Sequence, residues 1–414
     1  MDNTSHSGTT MTVRIQLTLD STNPPRFRRE IVPSPSLAEV KHQSFPMGDC
    51  RLHRGSSAGI GMEKSNHASK RPICLKLTFS LLLFYSYLSP TFAQDNLPNQ
   101  TRGQLTGIIG HSQTTASALG FKTKLLNSKR VVFLGDSNTY AGEWINQMEA
   151  TLLATQDSVP EFINLGLPSE TCSGFSEPAH PFPRPNVQER LLRALKKTKP
   201  DLVFACYGMN DGIYHPFAEE RFEGFKTGIQ KIVDSASAAN IPLILITPPP
   251  FDALPMRKAG GLVPLDSKQF LWTKIYENYD SEVIERYAQW MLEINNANCF
   301  VIDVHSPIKN FLNEKRKAKP EFSFSKDGVH FDNAGHRVFA KIVLQRLNLD
   351  KSLPNTSPQQ NELLQLVRQR QKINQLAWLA DVGHLRPGVP AGLPLGEASQ
   401  KTKSISDKIR QLSK

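Results

Sequence analysis

Apolar residues along this chain fall into short uninterrupted runs, separated by stretches where they recur every three or four positions. The runs 131–134, 162–165, 202–206, 242–247 and 300–304 are rich in β-branched and aromatic residues. Runs of this length and make-up predict strands buried on both faces, as in a parallel sheet. Between them the spacing is helical: Trp144, Ile145, Met148, Leu152, Leu153; then Val187, Leu191, Leu192, Leu195; then Phe222, Phe225, Ile229, Ile232, Val233; then Val283, Ile284, Tyr287, Ala288, Met291, Leu292; and last Val338, Phe339, Ile342, Val343, Leu347. Alternation of strand and helix predicts an α/β class domain over 128–349, with a doubly wound parallel sheet of about five strands and helices on both faces.

One connection is long. From Pro248-Pro249-Pro250 to about Ser281 the chain carries Phe251, Met256, Phe270, Leu271 and Trp272 among prolines and glycines. A connection of this length in a compact domain is usually functional or disordered. It reads either as a wall of a substrate cleft or as a packed structural excursion. Beyond the last strand-helix unit, Leu363, Leu364, Val367, Leu376 and Leu379 mark a Gln/Arg-rich helix over 360–380, with Gly383 as its stop. Pro387, Pro390 and Pro394 interrupt the chain before a second polar helix over 396–412. Residues 350–414 are therefore expected to be a helical C-terminal appendage.

The amino-terminal part follows a different pattern. Lys70, Arg71 and Lys76 precede the apolar stretch 77–88, and Thr91-Phe92-Ala93 follows it. This is the layout of an export signal with a small-residue cleavage site. The apolar core is short for a span, which needs about 20 residues. The expected location is thus periplasmic or secreted; an uncleaved signal anchoring the protein to a membrane is the alternative. The 68 residues before the signal are rich in Ser, Pro, His and Arg without periodicity, and a start at Met62 would give a signal of ordinary length. On that reading 1–61 is untranslated or disordered, 62–93 is the signal and 94–127 is a polar leader that partly packs on the domain.

Charge narrows the partners. Of the formal net +11, residues 1–93 hold +5 and residues 350–414 hold +5, leaving about +1 for the middle. A nucleic-acid enzyme would gather its charge around its site, so nucleic acid is not the expected partner. Cys172, Cys206 and Cys299 follow the proposed cleavage point, an odd number without metal-ligand spacing. Cys206 and Cys299 sit in apolar runs, where a free cysteine behaves as a small buried hydrophobe. The sequence sets no oligomeric state.

The candidate chemistry gathers at the ends of predicted strands. Gly135-Asp136-Ser137 follows the run 131–134 and opens a helical pattern, which puts a serine at the carboxyl edge of a sheet, where ligands bind in open α/β folds. Alone, this tripeptide is better explained by turn and capping chemistry. Asp327 and His330 lie in a loop before the last helix, so the histidine is free to reach the edge and the aspartate to hold its other ring nitrogen. His336 competes as the base but falls inside a helix that Asp332 would cap. Asn210, in Gly208-Met209-Asn210-Asp211 after the strand 202–206, offers an amide to a developing oxyanion, with Asp211 more suited to holding the loop. Gly166, after 162–165, could bring a backbone N–H close to a ligand. His180, Phe182, Tyr214 and His215 are candidates for lining the cleft, or plain loop residues.

Together, Gly-Asp-Ser-Asn-Thr at 135–139, Gly166 in Asn-Leu-Gly, Gly208-x-Asn210-Asp211 and Asp327-x-x-His330 resemble the four sequence blocks of the SGNH, or GDSL-type, hydrolases, over roughly 130–347. The resemblance implies a flavodoxin-like three-layer α/β/α sandwich and hydrolysis of an ester through an acyl-serine, without metal or cofactor. It implies Ser137 as nucleophile, His330 as base and then acid, and Asp327 as its orienter. The oxyanion hole would be the N–H groups of Ser137 and Gly166 with the Asn210 amide. The substrates implied are acetylated sugars, lipids, thioesters and small esters. With an export signal, this leads to a secreted serine esterase, with a carbohydrate O-deacetylase as one form. A non-catalytic carbohydrate- or surface-binding protein on the same scaffold is the alternative.

Overall fold

A computed structural model of the chain describes residues 115–350 and 357–413. The readings for 1–93, and for the leader up to 114, lie outside the described residues. In chain order the main elements are α1 (Thr115–Asn127), β1 (Arg130–Gly135), α2 (Ser137–Ala141), α3 (Glu143–Leu153), β2 (Glu161–Asn164), α4 (Leu191–Thr198), β3 (Leu202–Cys206), α5 (Glu219–Ala238), β4 (Leu243–Ile246), α6 (Ala253–Lys258), β5 (Leu262–Val263), β6 (Ile275–Tyr276), α7 (Glu285–Leu292), β7 (Cys299–Ile302), α8 (His305–Ala318), α9 (Asn333–Arg346), α10 (Pro358–Val382) and α11 (Leu395–Leu412).

Five strands make one parallel sheet in the order β2-β1-β3-β4-β7. Because successive side chains on a strand face opposite ways, each apolar run feeds two cores. Val132, Leu134, Ile163, Val203, Ala205, Leu243, Leu245 and Val301 pack with α4, α5 and α7. Val131, Phe133, Phe162, Leu202, Phe204, Ile244, Ile246, Phe300 and Ile302 pack on the other face with α1, α3, α8 and α9. The result is a three-layer α/β/α sandwich with C-terminal helices, the expected fold class.

Local details sharpen some expectations and correct others. The end of the polar leader is the helix α1, which buries Ala118, Phe121 and Leu125 and stacks Phe121 on Phe300 at 5.4 Å. Leu192 does not join its helix's apolar stripe but faces solvent. The long connection is ordered: it contains α6, the β5-β6 ladder and a π-helical turn, Asp280–Ile284, that runs into α7. The helix α8 was not foreseen, because its apolar contacts, Ile308 and Leu312, are diluted by lysines and arginines.

The C-terminal helix α10 begins with a capping box at Ser357 and Gln360 and ends at Gly383, whose φ is 80°. It lies along the β2 edge of the sandwich. Gln371 donates to the carbonyl of Phe162 at 3.1 Å, Arg368 pairs with Glu143 and Arg370 with Glu149 at 2.6 Å. Trp378, Leu379 and Val382 enter the α4–α5 side of the core. Two arginines of this Gln/Arg-rich helix are therefore committed to α3. No helix among the described residues is long and apolar enough to cross a membrane.

Candidate active site

The four sequence blocks converge at the carboxyl edge of the sheet. β1 stops at Gly135, where any Cβ would overlap the Thr139 side chain and the Cys206 carbonyl. Asp136 then caps α2, its side chain accepting the Asn138 N–H at 3.0 Å. Ser137 is thus the first residue of a one-turn helix held between an N-cap and Gly142, which closes it at φ 76°. Burial pushes the Asp136 carboxyl up to about 7, against the opposing Asn138 N–H and the His330 charge.

His330 reaches Ser137 from a loop 193 residues away. Its Nε2 lies 2.8 Å from Ser137 Oγ, and its Nδ1 lies 2.7 Å from Asp327 Oδ2. An ionised carboxylate only accepts, so Nδ1 carries the hydrogen and Nε2 is left to accept from the serine hydroxyl. Asp327 Oδ1 accepts the N–H of Val329 at 3.0 Å and of His330 at 2.9 Å, and Ser325 Oγ also donates to it. Burial works against ionising Asp327, but hydrogen bonding and attraction to His330, with these amides, hold its carboxyl well below the usual range. Burial likewise depresses His330, and Asp327 overcomes it, so the imidazole sits above its ordinary value. The side chains remain about half exposed, at 54% and 49%, which weakens both effects without reversing them.

Asn138, which the sequence motif includes without a role, sets this geometry. Its Nδ2 donates to the Val329 carbonyl at 2.9 Å, and its Oδ1 accepts the Phe331 N–H at 3.1 Å. The residue after the serine thus grips the chain on both sides of His330. Gly328 completes the loop at φ 78°, because a Cβ there would overlap the Asp252 carbonyl and the Phe251 ring. His336 lies apart from the serine pair. It is 3% exposed inside α9, Asp332 caps that helix by accepting the Gly335 N–H, and burial pushes its imidazole down to about 4.

Asn210 sits on the turn after β3 with its amide orientation fixed. Oδ1 accepts from Arg184 Nη1 and from the Tyr214 hydroxyl, both at 3.0 Å. Nδ2 donates one hydrogen to the Glu170 carbonyl at 3.2 Å, leaving the second for a ligand. Arg184 is itself locked by two hydrogen bonds to buried Glu177, at 2.6 and 2.7 Å. Asp211 holds the neighbouring loop, its Oδ1 accepting the N–H groups of Cys172 and Ser173 at 2.9 Å. Of the other cleft candidates, His215 packs at a tilt against Phe270 of the long connection at 5.2 Å, and His180 meets the Phe182 ring edge-on at 4.5 Å.

Gly166 departs from expectation. Its N–H donates to Asn164 Oδ1 at 2.8 Å, so this hydrogen is already committed. Glycine is required for another reason: a Cβ would overlap the backbone of Thr139 and Tyr140, and the β2 loop could not pack against the serine-bearing helix. Further along the loop, Ser169 adopts φ 65°. Its carbonyl is reached, at 3.4 Å, by the same Arg184 nitrogen that holds Asn210, and its N–H has no hydrogen bond among the described residues.

The sequence profile described as "GDSL-like Lipase/Acylhydrolase family" matches residues 133–338. No curated protein matches the chain. Among solved structures, the chain is similar to a gut microbial diltiazem-metabolizing enzyme, at 19% identity and a TM-score of 0.39 over 53% of this chain and 47% of that one. The chain thus spans about half the length of that protein. It is also similar to a catalytic mutant of an acetylxylan esterase from Geobacillus stearothermophilus, at 17% identity and a TM-score of 0.36 over 55% of this chain and 97% of that one. A GDSL-like lipase from Bacteroides thetaiotaomicron is similar at 17% identity and a TM-score of 0.35, over 57% of this chain and 92% of that one. With the profile match spanning all four blocks, residues 133–338 belong to the GDSL-like lipase/acylhydrolase family.

Proposed function

We propose that this protein is an exported serine esterase that cleaves an acyl ester, with O-deacetylation of a carbohydrate as its reaction. The observation that carries this reading is the continuous chain of short contacts from Asp327 through His330 to Ser137. His330 Nε2 takes the hydroxyl proton as Ser137 Oγ bonds to the ester carbonyl carbon. The carbonyl π electrons move to its oxygen. When the tetrahedral species collapses, the C–O bond to the alcohol breaks and His330 protonates the leaving oxygen. Water, deprotonated by His330, then attacks the acyl-serine and releases the acid. Asp327 stays ionised throughout and holds the ring.

The oxyanion is received by the Ser137 N–H and the free hydrogen on Asn210 Nδ2. Ser169 N–H takes the place first expected of Gly166, since the Gly166 hydrogen already serves Asn164. A non-catalytic binding role would draw on the net +5 of residues 350–414, of which Arg368 and Arg370 are paired with Glu143 and Glu149. Export rests on the signal-like segment 69–93. The test is labelling with a fluorophosphonate, followed by peptide mass spectrometry. The adduct is expected on Ser137; labelling elsewhere or none at all contradicts the assignment.

A further inference from the structure

The segment beyond α9 returns to the candidate site, where Gln375 of α10 donates to the Tyr140 carbonyl at 2.8 Å. After α10 ends at Gly383, the following loop delivers Arg386 to the loops that carry the candidate catalytic groups. Its Nε donates to the Pro168 carbonyl at 3.1 Å, next to Ser169. Its guanidinium lies 4.1 Å over the Phe182 ring, and Phe182 precedes the Arg184 that orients Asn210. Its charge bears on Tyr140, three residues past Ser137, opposing the rise that burial causes in that phenol. Arg386 is thus bracketed by the nucleophile helix, the 166–169 loop and the 180–184 loop.

Its charge is not neutralised. Arg184, the other guanidinium here, is paired with Glu177. Among the described residues no carboxylate pairs with Arg386; besides Pro168 it bonds only the carbonyl of its neighbour Pro387. Burial and Arg184 both weaken its hold on its proton. A half-buried cation stacked on an aromatic ring, with Nη2 lacking any partner among the described residues, is suited to receive a planar anion.

We propose that Arg386 forms a carboxylate subsite, so that the ester cleaved is an O-acetyl group on a uronic acid sugar. This rests on the esterase reading above. An acetyl group carries no charge, so the carboxylate belongs to the alcohol side, on the sugar that bears the ester. Arg386 is a binding residue here, with its guanidinium carbon 4.1 Å from the centre of the Phe182 ring.

The test compares acetylated oligogalacturonate with the same oligomer after methyl esterification of its carboxylates, using the full chain. The ratio of kcat/KM for the charged over the methylated form is expected to be about tenfold or more in the unaltered protein. It should fall towards one in Arg386→Gln and remain largely in Arg386→Lys. The ratio should also shrink as salt is raised. A ratio near one in the unaltered protein, or one unchanged in a folded Arg386→Gln, overturns the subsite and leaves the esterase reading standing. An unaltered protein no faster than Ser137→Ala on p-nitrophenyl acetate overturns both.

Discussion

The side-chain oxygen of Asn138 accepts the backbone N–H of Phe331 at 3.1 Å. The same amide donates to Val329 at 2.9 Å, so the residue after the nucleophile candidate fixes the position of the base candidate. Asn138→Ala is expected to misplace His330 and lower kcat by about a hundredfold, the scale of a 1 Å misalignment, with a smaller change in KM. Steady-state kinetics on p-nitrophenyl acetate checks this; an unchanged kcat would show that the loop is held by other contacts.

The pH dependence follows from the shift at His330. The imidazole must be neutral to accept the serine proton, and Asp327 raises it above its ordinary 6.5. The kcat/KM profile should therefore rise with pH through a midpoint above 6.5, with the protonated form inactive below it. In Asp327→Asn the main raising partner is gone and burial is opposed only by the weaker attraction of Asp136, so the midpoint should move down while the maximal rate falls by about 10⁴. A midpoint that stays in place would separate Asp327 from His330.

Asn210→Ala is expected to reduce kcat by about 10²–10³ with little effect on KM, as for loss of one oxyanion donor. Tyr214→Phe removes one of the two groups that orient the amide and should cost less. A Tyr214→Phe loss carried entirely by KM would contradict an orienting role.

Gly166→Ala and Ser169→Gly should behave in opposite ways. The alanine methyl would push Tyr140 and the serine helix away, which is expected to destabilise the fold by about 1–3 kcal/mol. At Ser169 the positive φ is one glycine adopts freely, so glycine should be neutral or stabilising by up to about 1 kcal/mol and should retain activity. Denaturant unfolding of the two variants, alongside their rates, distinguishes packing from donor roles.

Truncation after residue 350 would remove α10 and uncover α3 and β2. Glu143 and Glu149 would lose their arginine partners, and Trp378, Leu379 and Val382 would leave the core. Such a chain is expected to be insoluble or to unfold at a markedly lower temperature than the full chain. An equally stable truncated chain would show that the C-terminal helices are dispensable.

The parts legible in sequence were those where one physical demand governs. Buried parallel strands need apolar runs, so all five strands were found within a residue or two. A histidine and an aspartate at the sheet edge are free to reach a serine when a loop carries them, so Asp327 and His330 stand out as candidates. What stayed hidden depended on two distant segments at once. Asn138 looks like an ordinary turn residue until Val329 and Phe331 lie beside it. Gly166 signals a close approach, but whether to a ligand or to the backbone of Tyr140 is decided by three-dimensional packing. The docking of α10 is hidden in sequence because Arg368, Arg370 and Gln371 are polar residues that satisfy polar groups on α3 and β2.

The central claim is that Ser137 attacks the ester. It is tested most directly by the rate of p-nitrophenyl acetate hydrolysis by the full chain and by Ser137→Ala. The expected result is a fall of about 10³-fold or more in kcat with the fold unchanged by circular dichroism. Equal rates for the two proteins would contradict the account.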